Sequence, residues 1–131
     1  MEINKQLYKA MNQDRRLPIP WLSPECFTEC VFSHKSDIWA VGITIWEFCT
    51  QCKIIPYVDE LNGQSFKDCI TSGKILNQPD SMTDCVYELC KKCWQTDPEN
   101  RPNGRHLLIM IPDIYKNAVK FDSGHVLLRT K

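Results

Sequence analysis

The chain has 131 residues, of which 43% are hydrophobic, and its 16 Lys and Arg balance 16 Asp and Glu. This composition supports one folded domain or part of one, and it excludes a disordered segment. The balanced charge argues against a nucleic-acid partner, and no stretch is apolar for long enough to be a signal peptide or a membrane span. The five glycines lie at least ten residues apart, which excludes a glycine-rich phosphate loop.

In chain order, the first predicted element is irregular. Residues 1–25 contain few periodic apolar positions. Pro18, Pro20 and Pro24 each remove a backbone donor and push the preceding residue toward extended conformations. We therefore expect an extended segment without regular structure.

A buried helix is predicted next, from Ser36 to Cys49. Ser36 is a good N-cap, and Asp37 suits the positive end of the helix dipole. Apolar residues then cover every face of the helix, which indicates burial on all sides. The β-branched residues would also suit a buried strand, but the length and the N-cap favour a helix. Because such a helix needs partners all round, we expect a core of several helices.

The following two helices are amphipathic. The first is predicted from about Gln64 to Thr71, between a cap at Asn62 and a stop at Gly73. The second begins within 81–84. Their inward-facing residues recur at helical spacing and are Phe66, Cys69 and Ile70 in the first helix, and Val86, Leu89, Cys90, Cys93 and Trp94 in the second.

A third amphipathic helix is predicted after a turn at Asp97-Pro98-Glu99. Pro102 suits its first turn, and Pro112 is expected to end it. Its apolar side consists of Leu107, Leu108 and Ile111. The tail, 112–131, has a weaker pattern that would fit one more short helix. The predicted fold class is therefore mainly α, with a buried central helix and three or four amphipathic helices around it.

Eight cysteines include two Cys-x-x-Cys pairs, Cys49 with Cys52 and Cys90 with Cys93. A four-cysteine zinc site is one interpretation, and buried reduced thiols on helix faces are the other. The 37 residues between the pairs exceed the spacing of about 15–20 that is usual for such sites. We therefore predict no metal site, and a zinc-binding helical module is the weaker alternative. Because the N-terminal residues show no signal-peptide pattern, the default expectation is an intracellular protein with reduced thiols.

Several motifs resemble those of the protein tyrosine kinases in order and spacing. Leu17 to Glu25 is similar to the end of their activation segment, and Ser36 to Gly42 to the start of their central helix. Asp97 to Pro102 is similar to a segment near the end of their domain. The other matching motifs are Trp46-Glu47-Phe48, Pro56-Tyr57, Tyr87-Glu88-Leu89 and Cys93-Trp94. The resemblance covers about Lys5 to Ile111, and Trp21 and Cys93-Trp94 favour the tyrosine class, with a receptor-type character.

This resemblance implies a fragment of the kinase C-lobe in three parts. These are the end of the activation segment with the substrate-platform loop (1–25), the helical part of the lobe (26–111) and a C-terminal tail (112–131). It also implies roles for ten residues. They are a substrate platform of Pro18, Ile19, Pro20 and Trp21, a buried ion pair of Glu25 and Arg101, and a structural core of Asp37, Trp39, Gly42 and Trp94.

The environment that the resemblance implies for Asp37 differs between a whole kinase domain and this chain. In the family, this carboxylate is expected to accept backbone N–H bonds from the catalytic loop. These 131 residues contain no such loop, so we expect Asp37 to be solvated here. Part of the neighbouring helix surface should then face water or be covered by the tail, and an exposed apolar surface favours self-association. That surface consists of Ile38, Val41, Ile45 and Phe48.

The chain departs from active kinases in two ways. Pro20 stands where active tyrosine kinases usually have Lys or Arg, and a similar Ile-Pro-Trp occurs in the pseudokinase domains of Janus kinases. The glycine-rich loop, the strand lysine, His-Arg-Asp and Asp-Phe-Gly, which hold ATP and magnesium and carry the chemistry, are absent from these residues. No catalytic residue and no cofactor is therefore assigned to this chain.

The resemblance favours the C-lobe part of a cytoplasmic tyrosine kinase, or of the cytoplasmic part of a membrane receptor. It would act on a protein tyrosine only together with the missing kinase half, and it is expected to be inactive alone. A non-catalytic, pseudokinase-type interaction module is the alternative.

Overall fold

The computed structural model describes residues 18–61, 65–114 and 116, and these residues form helices and loops without a strand. The α-helices are α1 (Pro24–Thr28), α2 (His34–Cys49), α3 (Ser65–Thr71), α4 (Asp84–Cys93) and α5 (104–114). Two single 3-10 turns, Ile19–Trp21 and Pro98–Asn100, precede α1 and α5. The mainly α prediction is confirmed. No helix within these described ranges is long and apolar enough to cross a bilayer.

The start of α2 differs from the prediction by one turn. Ser33, not Ser36, is the N-cap, and the two serines form a capping box. The Ser33 hydroxyl accepts from the backbone N–H groups of Lys35 and Ser36, while the Ser36 hydroxyl accepts from the backbone N–H of Ser33 at 2.7 Å. The sequence favoured Ser36 because it stands directly before Asp37 and the apolar run, whereas the box needs a pair of residues three apart.

The end of α2 is held by two backbone hydrogen bonds and a left-handed turn. Gln51 donates to Phe48 O at 3.0 Å, and Cys52 donates to Glu47 O at 2.8 Å. This is the Schellman pattern, which normally places glycine in the left-handed position. Here Gln51 and Cys52 take that conformation, with φ of 56° and 54°.

One side of α2 is open in the described part of the chain. Trp39 and Ile43 are buried, whereas Val41 and Ile45 are half-buried and Phe48 is 73% exposed. The prediction of burial on all sides is therefore wrong. The apolar run alone could not show this, because burial of each face depends on which other helices reach it.

The helices around α2 bury most of the stripes that their spacing predicted, except in α5, but Cys69 of α3 and Val86 of α4 are only half-buried. Phe66 and Ile70 of α3 and Leu89, Cys90, Cys93 and Trp94 at α4 lie in the core. Gly73 follows α3 with φ of 90°, as expected of a helix stop. The predicted cap Asn62, residues 1–17 and the tail beyond 116 lie outside the described residues.

The inward face of α5 was predicted incorrectly. Leu107 is buried, but Leu108 is 75% and Ile111 46% exposed. Met110 and Ile114 instead pack against the core, at spacings of three and seven from Leu107. The helix also continues through Pro112 to residue 114. The chosen stripe had suitable apolar residues, but the rotation of a helix about its axis is set by its neighbours.

Candidate functional site

The candidate site begins with a short turn on the surface. The backbone N–H of Trp21 donates to Pro18 O at 3.0 Å, and that of Leu22 donates to Ile19 O at 3.1 Å. Pro18 and Ile19 are exposed, and Pro20 and Trp21 are half-buried. The four predicted platform residues thus lie in one turn. The prediction of an extended segment is wrong for the described part of 1–25, since Ile19–Trp21 is a 3-10 helix and Pro24 and Glu25 begin α1, a helix that was not predicted.

A side-chain hydrogen bond fixes this turn to the central helix. The Trp21 indole Nε1 donates to Glu47 Oε2 on α2 at 2.8 Å. Sequence reasoning gave Glu47 no role, although a lone carboxylate in the apolar second half of α2 is a usable signal. A buried or half-buried carboxylate requires a donor, and the indole N–H supplies one.

The strongest link within the site joins α1 to the turn before α5. Arg101 Nη1 donates to Glu25 Oε1 at 2.6 Å, and Nη2 donates to Glu25 Oε2 at 2.8 Å. The arginine side chain is fully buried, and that of Glu25 is 8% exposed. The two residues predicted as an ion pair are therefore in contact, in the bidentate geometry that a guanidinium and a carboxylate favour.

The remaining donors of Arg101 meet backbone carbonyls. Nε donates to Gln95 O at 2.8 Å, Nη1 also to Lys35 O at 3.0 Å, and Nη2 to Thr96 O at 3.4 Å. The guanidinium lies 5.1 Å from the ring centroid of Trp39, within reach of a cation–π interaction. The buried charge is thus both paired and hydrogen-bonded, which offsets its desolvation.

The surroundings of Glu25 shift its pKa. Burial raises the pKa of the carboxyl, but the hydrogen bonds and charge of Arg101, with further hydrogen bonds from the backbone and Ser23, lower it more. The net pKa lies below its ordinary value of 4.5. Glu25 is therefore ionised at neutral pH and holds Arg101 as an ion pair.

Lys35 is a second residue that sequence reasoning missed. Its Nζ donates to Arg101 O at 2.6 Å, while its own carbonyl accepts from Arg101 Nη1. This reciprocal contact ties the first turn of α2 to the segment before α5. No spacing rule predicts it, because the two residues are 66 positions apart.

Three of the four predicted core residues are buried. Trp39 is 1% and Trp94 2% exposed, and Gly42 lies where α2 and α4 meet. A Cβ at Gly42 would lie 2.6 Å from Trp94 Nε1 and 2.9 Å from Cys93 Cβ, so only glycine fits. Asp37 is exposed. Its prediction as a core residue is wrong for this chain, and the expectation of solvation describes it correctly.

The cysteines of the two Cys-x-x-Cys pairs lie in different surroundings. Cys90 and Cys93 are buried, whereas Cys52 is exposed. Burial raises the pKa of Cys90 to about 12 and that of Cys93 to about 11. Cys90 Sγ lies 3.7 Å from Gly42 O. Among the described residues, no group of three or more His, Cys, Asp or Glu is arranged to hold a metal ion.

Comparisons with known proteins match most of the chain. A family model described as protein tyrosine and serine/threonine kinase matches residues 1–111. The epidermal growth factor receptor of Apis mellifera is 39% identical over 107 residues, or 82% of this chain. The insulin-like growth factor 1 receptor of Xenopus laevis is 35% identical over 74% of the chain, and the mast/stem cell growth factor receptor Kit of Takifugu rubripes 30% over 91%. The chain spans only 8%, 7% and 12% of these relatives' lengths.

Proposed function

This chain belongs to the protein tyrosine and serine/threonine kinase family, and we propose that it supports the protein substrate in a tyrosine-kinase domain. The family membership confirms the resemblance over most of the chain. One observation carries the proposal. The surface turn Ile19–Trp21 is attached to α2 by the Trp21–Glu47 hydrogen bond. The Glu25–Arg101 pair fixes α1, the helix that follows this turn. Such an arrangement offers an incoming peptide a rigid surface.

The platform turn has suitable chemistry for a peptide that presents tyrosine. Pro18 and Pro20 carry no backbone N–H and have a fixed φ, so this surface loses little conformational entropy when a peptide binds. Ile19 is 43% exposed and offers apolar area to the long phenol side chain. The role of these residues is to position the substrate, and no proton or phosphoryl group passes through them.

The phosphoryl transfer itself is assigned to the rest of the domain. We infer that ATP and magnesium are held by the missing half, because the glycine-rich loop, strand lysine, His-Arg-Asp and Asp-Phe-Gly are absent from these residues. The chain alone should therefore be inactive, and its partners are that other half and a tyrosine-containing protein. We place the domain on the cytoplasmic side of the cell. When the other half is missing, the chain would self-associate through the apolar surface at Phe48 on the open side of α2.

Pro20 favours a second candidate function. Active tyrosine kinases usually carry Lys or Arg at this position, and Pro20 cannot supply the same charge to a substrate. A pseudokinase-type module would use the same rigid surface to bind a protein without phosphorylating it. The two candidates differ in the residues that precede this chain in its gene.

The test uses the full-length product of the gene that encodes this chain. Its upstream sequence should contain the strand lysine, His-Arg-Asp and Asp-Phe-Gly, and the product should phosphorylate a Glu-Tyr copolymer with magnesium-ATP. Ile19→Asp should raise KM for the copolymer and leave ATP binding unchanged. Leu108→Asp is the matched control, because Leu108 is 75% exposed and lies on α5, not on the platform turn or on the open side of α2. A product without those motifs and without ATP binding would establish the pseudokinase alternative.

A further inference from the structure

The loop between α2 and α3 exposes an unusual amount of apolar surface. Ile54, Ile55 and Val58 are 50%, 57% and 42% exposed. They flank Pro56 and Tyr57, which are both buried. Scattered exposed apolar residues are normal, but a contiguous group marks an interaction site.

The loop is held rigidly in this arrangement. Tyr57 is 4% exposed, and its ring meets Phe66 of α3 edge-on with centroids 5.4 Å apart. Its φ of 55° is in the left-handed region, which a bulky residue rarely adopts. Tyr57 O accepts from the backbone N–H of Leu61 at 3.1 Å. Strained backbone of this kind is retained mainly at functional sites.

The exposed residues line a groove, which we call the isoleucine groove. It has a volume of about 270 Å³. Its lining includes Trp46, Ile54, Ile55, Val58, Asp59 and Leu76. Trp46 Nε1 donates to Asn77 O at 2.9 Å, which fixes the far wall against α2. Drug-sized ligands occupy sites of about 300–1,000 Å³, so this groove suits one or two inserted side chains better than a whole metabolite.

The rim of the isoleucine groove carries unbalanced negative charge. Glu60 forms an ion pair with Lys74. Asp59 is exposed and also acts electrostatically on Lys74, so the rim of the groove carries two carboxylates against one ammonium group. A ligand that places a cation beside Asp59 is therefore favoured, whereas an anionic lipid surface would be repelled.

We propose that the isoleucine groove docks an extended segment of a partner protein in which a large apolar side chain stands next to Lys or Arg. The apolar side chain enters between Ile54, Ile55 and Val58, and the cation lies beside Asp59. The groove is formed by residues other than the platform residues, and the proposal does not depend on phosphoryl transfer.

The test selects phage-displayed random dodecapeptides on the full 131-residue chain. We expect the enriched peptides to carry Leu, Ile, Met or Phe beside Lys or Arg. Ile55→Asp should weaken the binding of the enriched peptides about tenfold or more, as expected for a central apolar contact. Asp59→Lys should weaken the binding of those peptides that carry basic residues. Phe48→Asp is the control, since Phe48 is more exposed than either isoleucine but does not line the groove.

Several results would overturn the proposal. The first is that the unmodified chain enriches no peptide beyond what the Ile55→Asp chain enriches. The others are that acidic peptides are enriched, or that the enriched peptides bind the unmodified and Ile55→Asp chains equally well. Cosedimentation with phosphatidylcholine–phosphatidylserine vesicles that requires Ile55, without peptide enrichment, would assign the surface to a membrane instead. Thermal melting of each variant verifies that it is folded. Val58→Asp replaces Ile55→Asp if the latter fails to fold.

Discussion

Arg101 and Glu25 lie 76 positions apart in the chain and meet through two parallel hydrogen bonds of 2.6 and 2.8 Å. This contact fixes the helix that follows the platform turn against the segment before α5. The pair is buried, so each charge depends on the other for compensation. The pair therefore helps to position the platform turn, which the Trp21–Glu47 hydrogen bond also holds.

Removing one partner of this pair should be strongly destabilising. Arg101→Ala leaves the Glu25 carboxylate buried without its cation, at an expected cost of about 3–5 kcal/mol in the free energy of unfolding. The double variant Glu25→Ala, Arg101→Ala should cost less than the sum of the single changes, as measured by urea unfolding. Lys91→Ala is the control, because its pair with Glu88 is exposed and an exposed ion pair contributes little to stability. Additive single costs would show that the pair makes no energetic contribution.

The same pair should make stability depend on acid pH. The folded pKa of Glu25 lies below its ordinary value of 4.5, so its contribution is complete above that value. It is lost as the pH falls through the folded pKa. Urea unfolding between about pH 7 and about pH 3 should show a steeper loss of stability for the unmodified chain than for Glu25→Gln. Equal slopes in the two chains would contradict this assignment.

Gly42 should tolerate no side chain. Gly42→Ala would place a Cβ within 3 Å of Trp94 and Cys93, and overpacking of this kind costs about 1–3 kcal/mol. Gly104→Ala is the control, since a Cβ there meets nothing within 4 Å, and alanine in a helix should be neutral or stabilising by up to about 1 kcal/mol. Thermal melts of the two variants should therefore shift in opposite directions or by clearly different amounts.

Asp37 should behave as a surface residue. Its side chain is exposed, so Asp37→Asn should change stability by about 0.5 kcal/mol or less. Glu25→Gln supplies the comparison with a buried carboxylate. Urea melts at several protein concentrations would also reveal self-association through the open side of α2. A concentration-independent melt with a large Asp37→Asn cost would mean that the chain supplies donors to this carboxylate.

Thiol labelling should separate the cysteines by burial. Cys30, Cys52 and Cys85 are exposed and should react first with an aromatic disulfide reagent. Cys90 and Cys93 should react only on unfolding, because burial raises their thiol pKa values to about 12 and about 11 and excludes the reagent. Zinc added beforehand should not slow the reaction. Protection of Cys52 together with a zinc-dependent rise in melting temperature would support the zinc alternative.

The sequence by itself determined the mainly α class and the extent of most helices, and its resemblance to the protein tyrosine kinases implied the Glu25–Arg101 pair. The helices follow from local periodicity and turn chemistry. The pair follows from motifs whose order and spacing match those of the kinase family. Gly73 stopping α3 is the clearest local case, because its φ of 90° is one that glycine adopts without cost.

Only the tertiary structure decided which face of each helix is covered and which distant polar groups meet. Neighbours far away in sequence set the rotation of α5 toward Met110 and Ile114 and leave α2 open at Phe48. They also set the contacts of Glu47 with Trp21 and of Lys35 with Arg101. Helical spacing specifies which residues share a face, but the burial of that face is a property of two elements at once. For the same reason the exposed Ile54 and Ile55 gave no signal in the sequence, where buried and exposed isoleucines are identical.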